Sequence, residues 1–310
     1  MKVASFYRFH DVEQPRAICE SLQSLCDEQS LLGTVLVADE GVNGTIAGSH
    51  EAIIAVFAWL EETLALPGPI EARRTEAADA PFRRMRVRLK KEIVTLGRPN
   101  IRPQRSTGRH VNPDEWNKLI ENPDTLVIDT RNHYEIEIGT FPNAIDPRTD
   151  SFREFPKFAE QLSEADKERP LAMFCTGGIR CEKAAALMLE LGFRDVRQLQ
   201  GGILNYLESV GESDNRWSGE CFVFDSRVAV DRDLAEGGYV QCHACRRPLS
   251  SNDLSSADYR EGVSCPSCIT DLDDERAERL EERRRQVQLA RDRGEVHIGA
   301  VLPKGKSKMG

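Results

Sequence analysis

Along its first hundred residues the chain alternates short apolar runs with stretches whose apolar positions recur at helical spacing. Val3–Tyr7 reads as a strand, and Pro15 to Leu25 places Ile18, Leu22 and Leu25 on one helical face. Thr34–Val37 and Thr45–Ala47 read as two further strands, joined through Asp39-Glu40-Gly41-Val42-Asn43-Gly44. Ser49 is placed to cap a second helix whose buried face is Ile53, Val56, Phe57, Leu60 and Leu64. Ile70–Thr75 and Met85–Leu96 supply the last two strands of this part.

The order β-α-β-β-α-β-β over residues 1–98 predicts a ferredoxin-like α/β sandwich of the acylphosphatase sort. Residues 99–110, with Pro99, Pro103 and Gly108 among arginines, read as a basic linker rather than a packed element. Asn112-Pro113-Asp114-Glu115 then has the N-cap, first-turn proline and capping-box acid of a helix start. From there to about residue 218 strands alternate with helices, the pattern of a doubly wound parallel sheet. Residues 219–310 form a third region, with cysteine pairs, a charged helix over Asp271–Arg293 and a basic tail at Lys304–Lys308 expected to be disordered.

Charge changes the picture locally. The net charge of −9 argues against a polyanionic partner for the chain as a whole. Yet Met85, Val87 and Leu89 alternate with Arg84, Arg86, Arg88 and Lys90, followed by Lys91, so one strand is apolar on one face and basic on the other. From Arg83 to Arg109 ten basic residues stand against a single acid, Glu92. Either this strand binds a phosphate backbone, or its charge protects a sheet edge from aggregation. No run of eighteen apolar residues is present and the first residues lack a signal-peptide core, so the expected compartment is the cytoplasm. Nine cysteines in a reducing compartment point to metal binding or catalysis rather than disulfides.

The chemistry concentrates at Cys175-Thr176-Gly177-Gly178-Ile179-Arg180. The apolar run Leu171–Phe174 precedes it, and an Ala- and Leu-rich helix from Lys183 to Leu191, closed by Gly192, follows it. A cysteine at the carboxyl end of a strand thus meets a glycine loop that curls into a helix N-terminus. The backbone N–H groups of Thr176, Gly177, Gly178 and Ile179 form a cradle, and the helix dipole with Arg180 lowers the thiol pKa. Cysteine phosphatases place one residue more between Cys and Arg; this tighter ring suits a single terminal sulfur. The loop resembles that of single-domain rhodaneses, which carry sulfur as a cysteine persulfide. Leu126–Arg131 with Glu135 and Gly139, and Val196–Ile203, resemble that family's Asp-x-Arg…Glu signature and its closing strand with a Gly-Gly turn. Asp129 and Arg131 either orient the loop or a substrate, or form a structural ion pair. Cys181 either resolves a persulfide or disulfide intermediate, or packs as a small apolar residue.

Cys242-His243-Ala244-Cys245 and Cys265-Pro266-Ser267-Cys268 are two Cys-x-x-Cys pairs, a spacing that fits a structural zinc knuckle closed by four thiolates. His243 is expected to point outward, and Cys221 is the weaker alternative ligand.

The whole arrangement resembles the rhodanese-domain tRNA uridine hydroxylases. The likeness rests on Glu40–Thr45, on Met85–Val94 and on Cys175–Lys183, in that order. It implies oxygen-dependent conversion of the wobble uridine of tRNA, position 34 in tRNA numbering, to 5-hydroxyuridine, with Cys175 essential and molecular oxygen as co-substrate. It implies tRNA as the partner; the apolar pattern predicts no membrane span, and no obligate protein partner is inferred. No flavin motif, haem ligand set or two-His-one-carboxylate triad stands out, so a Cys175 sulfur species and addition of Cys175 to uracil C6 both stay open as routes. The alternatives are a thiosulfate-type sulfurtransferase, which leaves the basic strand and the zinc knuckle without a role, and a non-catalytic RNA-binding module, against which the intact Cys175 loop argues.

Overall fold

The computed structural model describes residues 1–77, 80–225 and 227–294. These divide into two compact units, one of residues 1–77, 80–225 and 230–236, the other of residues 227–229 and 237–294.

The first unit opens with β1 (Lys2–Phe9), α1 (Pro15–Glu28), β2 (Leu32–Ala38), β3 (Gly41–Gly48), α2 (His50–Thr63), β4 (Ala72–Glu76) and β5 (Met85–Leu89). The strands form one sheet in the order β4-β1-β3-β2-β5, antiparallel except for the β2–β5 pair. This is the expected acylphosphatase-like sandwich. Ala4, Phe6, Val35, Val37 and Ile46 pack with Leu22 of α1 and Val56, Phe57 and Leu60 of α2, while the intervening Ser5 and Tyr7 fall on the opposite face of β1, as strand alternation requires. Ser49 caps α2 by accepting from the Ala52 N–H at 3.1 Å.

The last strand is shorter than its sequence suggests. β5 ends at Leu89, because Glu92 turns inward: its carboxylate accepts from the backbone N–H groups of Leu96 and Gly97. The stretch after it is not a free linker either. Leu96 and Ile101 are buried, at 0% and 2% exposure, and join the next core. Its end is already β6 (Arg109–Val111). A basic, proline-containing segment looks solvated by composition, but its few apolar residues have a core to fill.

After β6 come α3 (Pro113–Glu121), β7 (Leu126–Asp129), α4 (His133–Ile136), β8 (Gly139–Thr140), α5 (Phe155–Ala159), α6 (Glu164–Lys167), β9 (Leu171–Phe174), α7 (Ile179–Glu190), β10 (Val196–Leu199) and α8 (Gly202–Ser209). Four strands form a parallel sheet in the order β6-β10-β9-β7. Its two faces bury different sets. Leu126, Ile128, Leu171 and Met173 meet Ala184, Ala185 and Met188 of α7. Val127, Ala172, Phe174 and Leu199 meet Trp116 of α3 and Ile203 and Tyr206 of α8. A sheet covered on both sides is the doubly wound arrangement, and its strands are accordingly apolar throughout. Cys221, Val223 and Val230 complete the second of these cores, so this part of the chain belongs to the first unit rather than to the cysteine-pair region expected from residue 219.

The second unit contains the cysteine pairs, α9 (Ser251–Leu254) and α10 (Asp274–Asp292). The helix α10 is the expected charged one: only Ala290 is buried, and Arg279–Glu275 and Arg285–Glu282 pair along its surface. The tail Lys304–Lys308 lies outside the described residues. Among the described residues no helix is long and apolar enough to cross a membrane.

Candidate functional site

Cys175 leaves the carboxyl end of β9, and Gly178, at φ +96°, turns the chain into α7. The helix begins at Ile179, four residues earlier than its sequence pattern suggests, because the glycine-rich stretch can supply the N-cap conformation itself. Arg180 and Cys181 therefore sit in its first turn.

The Cys175 sulfur is buried, with 1% of the residue exposed, and accepts from the Gly178 N–H at 3.1 Å. Burial alone would push its pKa up. The neighbouring Cys181 thiol, the nearby Arg180 charge and the N–H groups of Cys181 and Arg180 outweigh burial and bring the pKa down to about 6. Cys181 is buried and its own pKa is raised well above the ordinary value, by desolvation and by the Cys175 sulfur it serves. It rests against the Thr130 hydroxyl at 3.5 Å. The thiolate is thus Cys175 and the proton stays on Cys181.

Of the backbone groups expected to cradle the sulfur, the Gly178 N–H donates to it. Thr176 uses its hydroxyl elsewhere, donating to the Phe222 carbonyl at 3.4 Å. Gly177 is exposed, and a Cβ built on it meets no atom within 4 Å; the loop is open on that side. Gly178 has no such room, since a Cβ there falls 2.9 Å from the Tyr7 hydroxyl.

The Arg180 guanidinium is held by Glu135, 2.6 Å from Nη1 to Oε1 and 2.8 Å from Nη2 to Oε2, and by Thr176 at 3.3 Å. Its charge acts on Cys175 while both terminal nitrogens are held by Glu135. Asp129 and Arg131 form a bidentate ion pair with both side chains fully buried, at 2.9 and 2.6 Å. Arg131 also donates to the Glu135 and Gly139 carbonyls. The pair staples the turn after β7 that presents Glu135.

Sequence reasoning missed a second polar cluster on the helix side of the loop. The Glu182 carboxylate, twelve-per-cent exposed, meets His110 Nε2 at 2.9 Å, the Thr107 hydroxyl at 3.0 Å, Gln198 Nε2 at 3.2 Å and the Tyr7 hydroxyl at 3.5 Å. Despite burial its pKa is lowered, chiefly by His110, whose own pKa is raised in return by the hydrogen bond to Glu182. Tyr7 comes from β1, so the first sheet reaches the Cys175 loop directly. One residue on, Lys183 is fully buried and paired with Glu40 at 2.8 Å and Glu92 at 2.5 Å.

On and beside β5, Arg84, Arg86, Arg88, Lys90 and Lys91 all face solvent as expected, and Met85 and Val87 pack inward; Leu89, expected on the apolar face, is instead 41% exposed. β5 lies at the edge of its sheet beside β2, and its Val87 N–H donates to the Gln23 side chain of α1 at 2.8 Å.

In the second unit Cys242, Cys245, Cys265 and Cys268 have their sulfurs all within 4.8 Å of one another. The Cys245–Cys265 and Cys265–Cys268 separations are 3.7 and 3.6 Å, close to the roughly 3.8 Å edge of a tetrahedron with ~2.3 Å metal–sulfur bonds. The four are positioned to hold a metal ion. His243 is exposed and Cys221 lies in the other unit, so neither replaces them.

Residues 1–93 match the UPF0176 acylphosphatase like domain, and residues 112–209 match the rhodanese-like domain. The chain joins an acylphosphatase-like domain to a rhodanese-like one. That combination is consistent with the UPF0176 family. Similar solved structures include the human single domain sulfurtransferase TSTD1, 24% identical, with 34% of this chain and 99% of that chain covered at a TM-score of 0.28. A rhodanese-related protein from Thermoplasma volcanium is 22% identical, covering 32% of this chain and 91% of that chain at 0.27. An acylphosphatase from Coxiella burnetii is 20% identical, covering 28% and 90% at 0.23. Cys175, Arg180 and Glu135 all lie within the rhodanese-like domain, and Tyr7, Glu40 and Glu92 within the acylphosphatase-like one.

Proposed function

We propose that this protein is a tRNA-modifying enzyme that converts the wobble uridine, position 34 in tRNA numbering, to 5-hydroxyuridine, with molecular oxygen as co-substrate and Cys175 as the essential residue. The observation that carries the reading is the company the thiolate keeps. A rhodanese-type loop needs no polyanion-binding surface to pass sulfur between small molecules. Here its cysteine shares one compact unit with an edge strand that exposes Arg84, Arg86, Arg88, Lys90 and Lys91, the kind of surface that neutralises phosphates. The resemblance over Glu40–Thr45, Met85–Val94 and Cys175–Lys183 supplies the substrate and the reaction.

Within this reading Cys175 supplies a nucleophilic sulfur at neutral pH, and Cys181 holds the proton beside it. Arg180, locked on Glu135, keeps a fixed positive charge near the sulfur. The thiolate serves equally a bound sulfur species or addition to uracil C6. The four cysteines of the second unit hold a structural zinc; a site closed by thiolates contributes to folding rather than to catalysis.

A second reading, a sulfurtransferase that carries sulfur as a Cys175 persulfide, is favoured by the loop itself, whose N–H groups converge on one sulfur. It leaves the basic strand without a task.

The deciding experiment is nucleoside mass spectrometry of tRNA from cells lacking the protein, complemented with wild type or Cys175→Ser. Hydroxylated wobble uridine should vanish and return only with wild type. An unchanged profile in cells with no other route to the modification would overturn the reading in favour of sulfur transfer.

A further inference from the structure

We propose that Phe224 is the platform on which the reacting pyrimidine ring stacks as it is presented to Cys175. The inference rests on the reading that the site acts on a uridine in RNA, and it names a contact that the loop residues cannot make.

Phe224 is 69% exposed, the most exposed of the large hydrophobic residues described and the one aromatic among them. A single exposed aromatic is ordinary on a protein surface; its position is what matters. The Arg180 guanidinium carbon lies 5.9 Å from the centre of its ring, and Arg180 belongs to the first helical turn beyond the reactive loop. The ring is also held from the side, by Phe222 at 5.1 Å and an interplanar angle of 83°. Phe222 in turn is buried, packs edge-on against Tyr134 at 5.4 Å, and receives the Thr176 hydroxyl on its carbonyl. The segment that carries Phe224 is therefore tied to the loop residue next to Cys175.

Three consequences follow from that geometry. The ring is pre-oriented, so little side-chain freedom is lost when a flat group settles on it. The guanidinium beside it cannot swing away, because both of its terminal nitrogens are committed to Glu135. The approach to the loop is open at Gly177, where no atom lies within 4 Å of a built Cβ. A fixed, exposed aromatic surface backed by a cation at an open mouth suits a planar heterocycle better than an aliphatic chain or an extended peptide. The exposed arginines and lysines of β5 in the same unit point to a nucleic-acid base as that heterocycle. Stacking engages the face of the base and leaves its edge unread, so Phe224 accepts uracil and cytosine alike and contributes affinity rather than base choice.

The test is a cycle of two changes, read by fluorescence anisotropy with the full-length protein and an anticodon stem-loop RNA. One change is Phe224→Ala; the other replaces the wobble nucleotide with an abasic residue. Each alone should weaken binding roughly tenfold or more, and together they should cost no more than either alone, because both remove the same contact. Phe224→Leu, which keeps apolar bulk without a ring, should behave like Phe224→Ala, and Phe224→Trp should bind as wild type does. The ultraviolet titration of the Cys175 thiolate should be unchanged in all three. Losses that multiply, full binding by Phe224→Leu, or a displaced thiolate titration would overturn the proposal, the last by showing that Phe224 acts through the loop's structure. Formation of 5-hydroxyuridine by wild type is measured separately. If it is absent while the cycle holds, the hydroxylase reading falls and the platform stands; if it is present while the losses multiply, the reverse is true.

Discussion

Lys183 and Glu40 form an ion pair, 2.8 Å long and shut off from solvent, between the helix that follows the reactive loop and the turn joining β2 to β3. Glu92, whose neighbour Ile93 donates its N–H to Glu40, completes the cluster on Lys183. One lysine thus faces two carboxylates. The Glu40 pKa is raised by desolvation beyond what Lys183 offsets, while that of Glu92 is lowered, chiefly by Lys183 once its own burial is overcome. Lys183→Met should leave two buried carboxylates unpaired and cost about 3–5 kcal/mol. Urea unfolding would measure it. Adding Glu40→Gln and Glu92→Gln to the same chain should recover most of the loss, and a Lys183→Met protein within ~1 kcal/mol of wild type would show that the cluster contributes little.

The lowered Cys175 pKa has a definite direction in a titration. An ordinary thiol becomes thiolate near pH 9, whereas Cys175 does so at about 6. Any step that needs the thiolate should therefore be complete at neutral pH and disappear as the pH falls through 6. Cys181→Ala removes a neighbouring thiol that lowers the Cys175 pKa and should move the midpoint upward. The ultraviolet difference titration between each protein and its Cys175→Ser counterpart measures both. A midpoint that stays in place in Cys181→Ala would rule out the thiol–thiolate hydrogen bond.

Gly178→Ala combines two penalties, a left-handed backbone at φ +96° and a Cβ 2.9 Å from the Tyr7 hydroxyl. The backbone part alone is worth about 1–2 kcal/mol. Thermal denaturation should show a clear loss for Gly178→Ala and a partial recovery in Gly178→Ala with Tyr7→Phe, which removes the hydroxyl and leaves the backbone cost. No recovery would mean that Tyr7 yields without penalty.

Charge reversal on the basic strand should act on RNA alone. With two phosphate contacts removed by Arg86→Glu and Arg88→Glu, the slope of log affinity against log salt should fall by about 1.8 on duplex RNA-like contacts, or about 1.4 on single-stranded ones. Both side chains are exposed and their strand is an edge, so unfolding in urea should be nearly unaltered. An unchanged salt slope would remove the strand from the interface.

Chelation should expose the second unit. If the four cysteines hold a structural metal, stripping it should abolish amide-exchange protection between Cys242 and Cys268, and zinc should restore it at one ion per chain. Retained protection in metal-free protein would contradict a folding role.

Much of this was readable in the residues. The alternation at Met85–Lys90 gave both the strand and its basic face, and the paired Cys-x-x-Cys spacing announced the sulfur cluster, because such patterns are local. What escaped the sequence is long-range. Lys183 looks like a helix-surface lysine until Glu40 and Glu92 close on it, and Glu92 had left one sign: it was the lone acid in a run of ten basic residues. The Glu182–His110–Tyr7 cluster draws on three separated stretches, none with a pattern of its own. Phe224 had no signal, since a solitary aromatic in an irregular segment resembles any other. The supposed linker failed for a different reason: Ile101 is a single apolar residue among arginines, and periodicity needs more than one.

That packed connection has a bearing on how substrate is selected. With Leu96 and Ile101 in the core and β6 in the sheet, there is no leash between the basic strand and the reactive loop. On the proposed reading the span from the phosphates gripped by β5 to the base above Cys175 is set by the protein, as on a ruler. An RNA would then qualify by folding so that a flexible nucleotide lies one such span from its backbone, and a hairpin loop qualifies where a straight duplex does not.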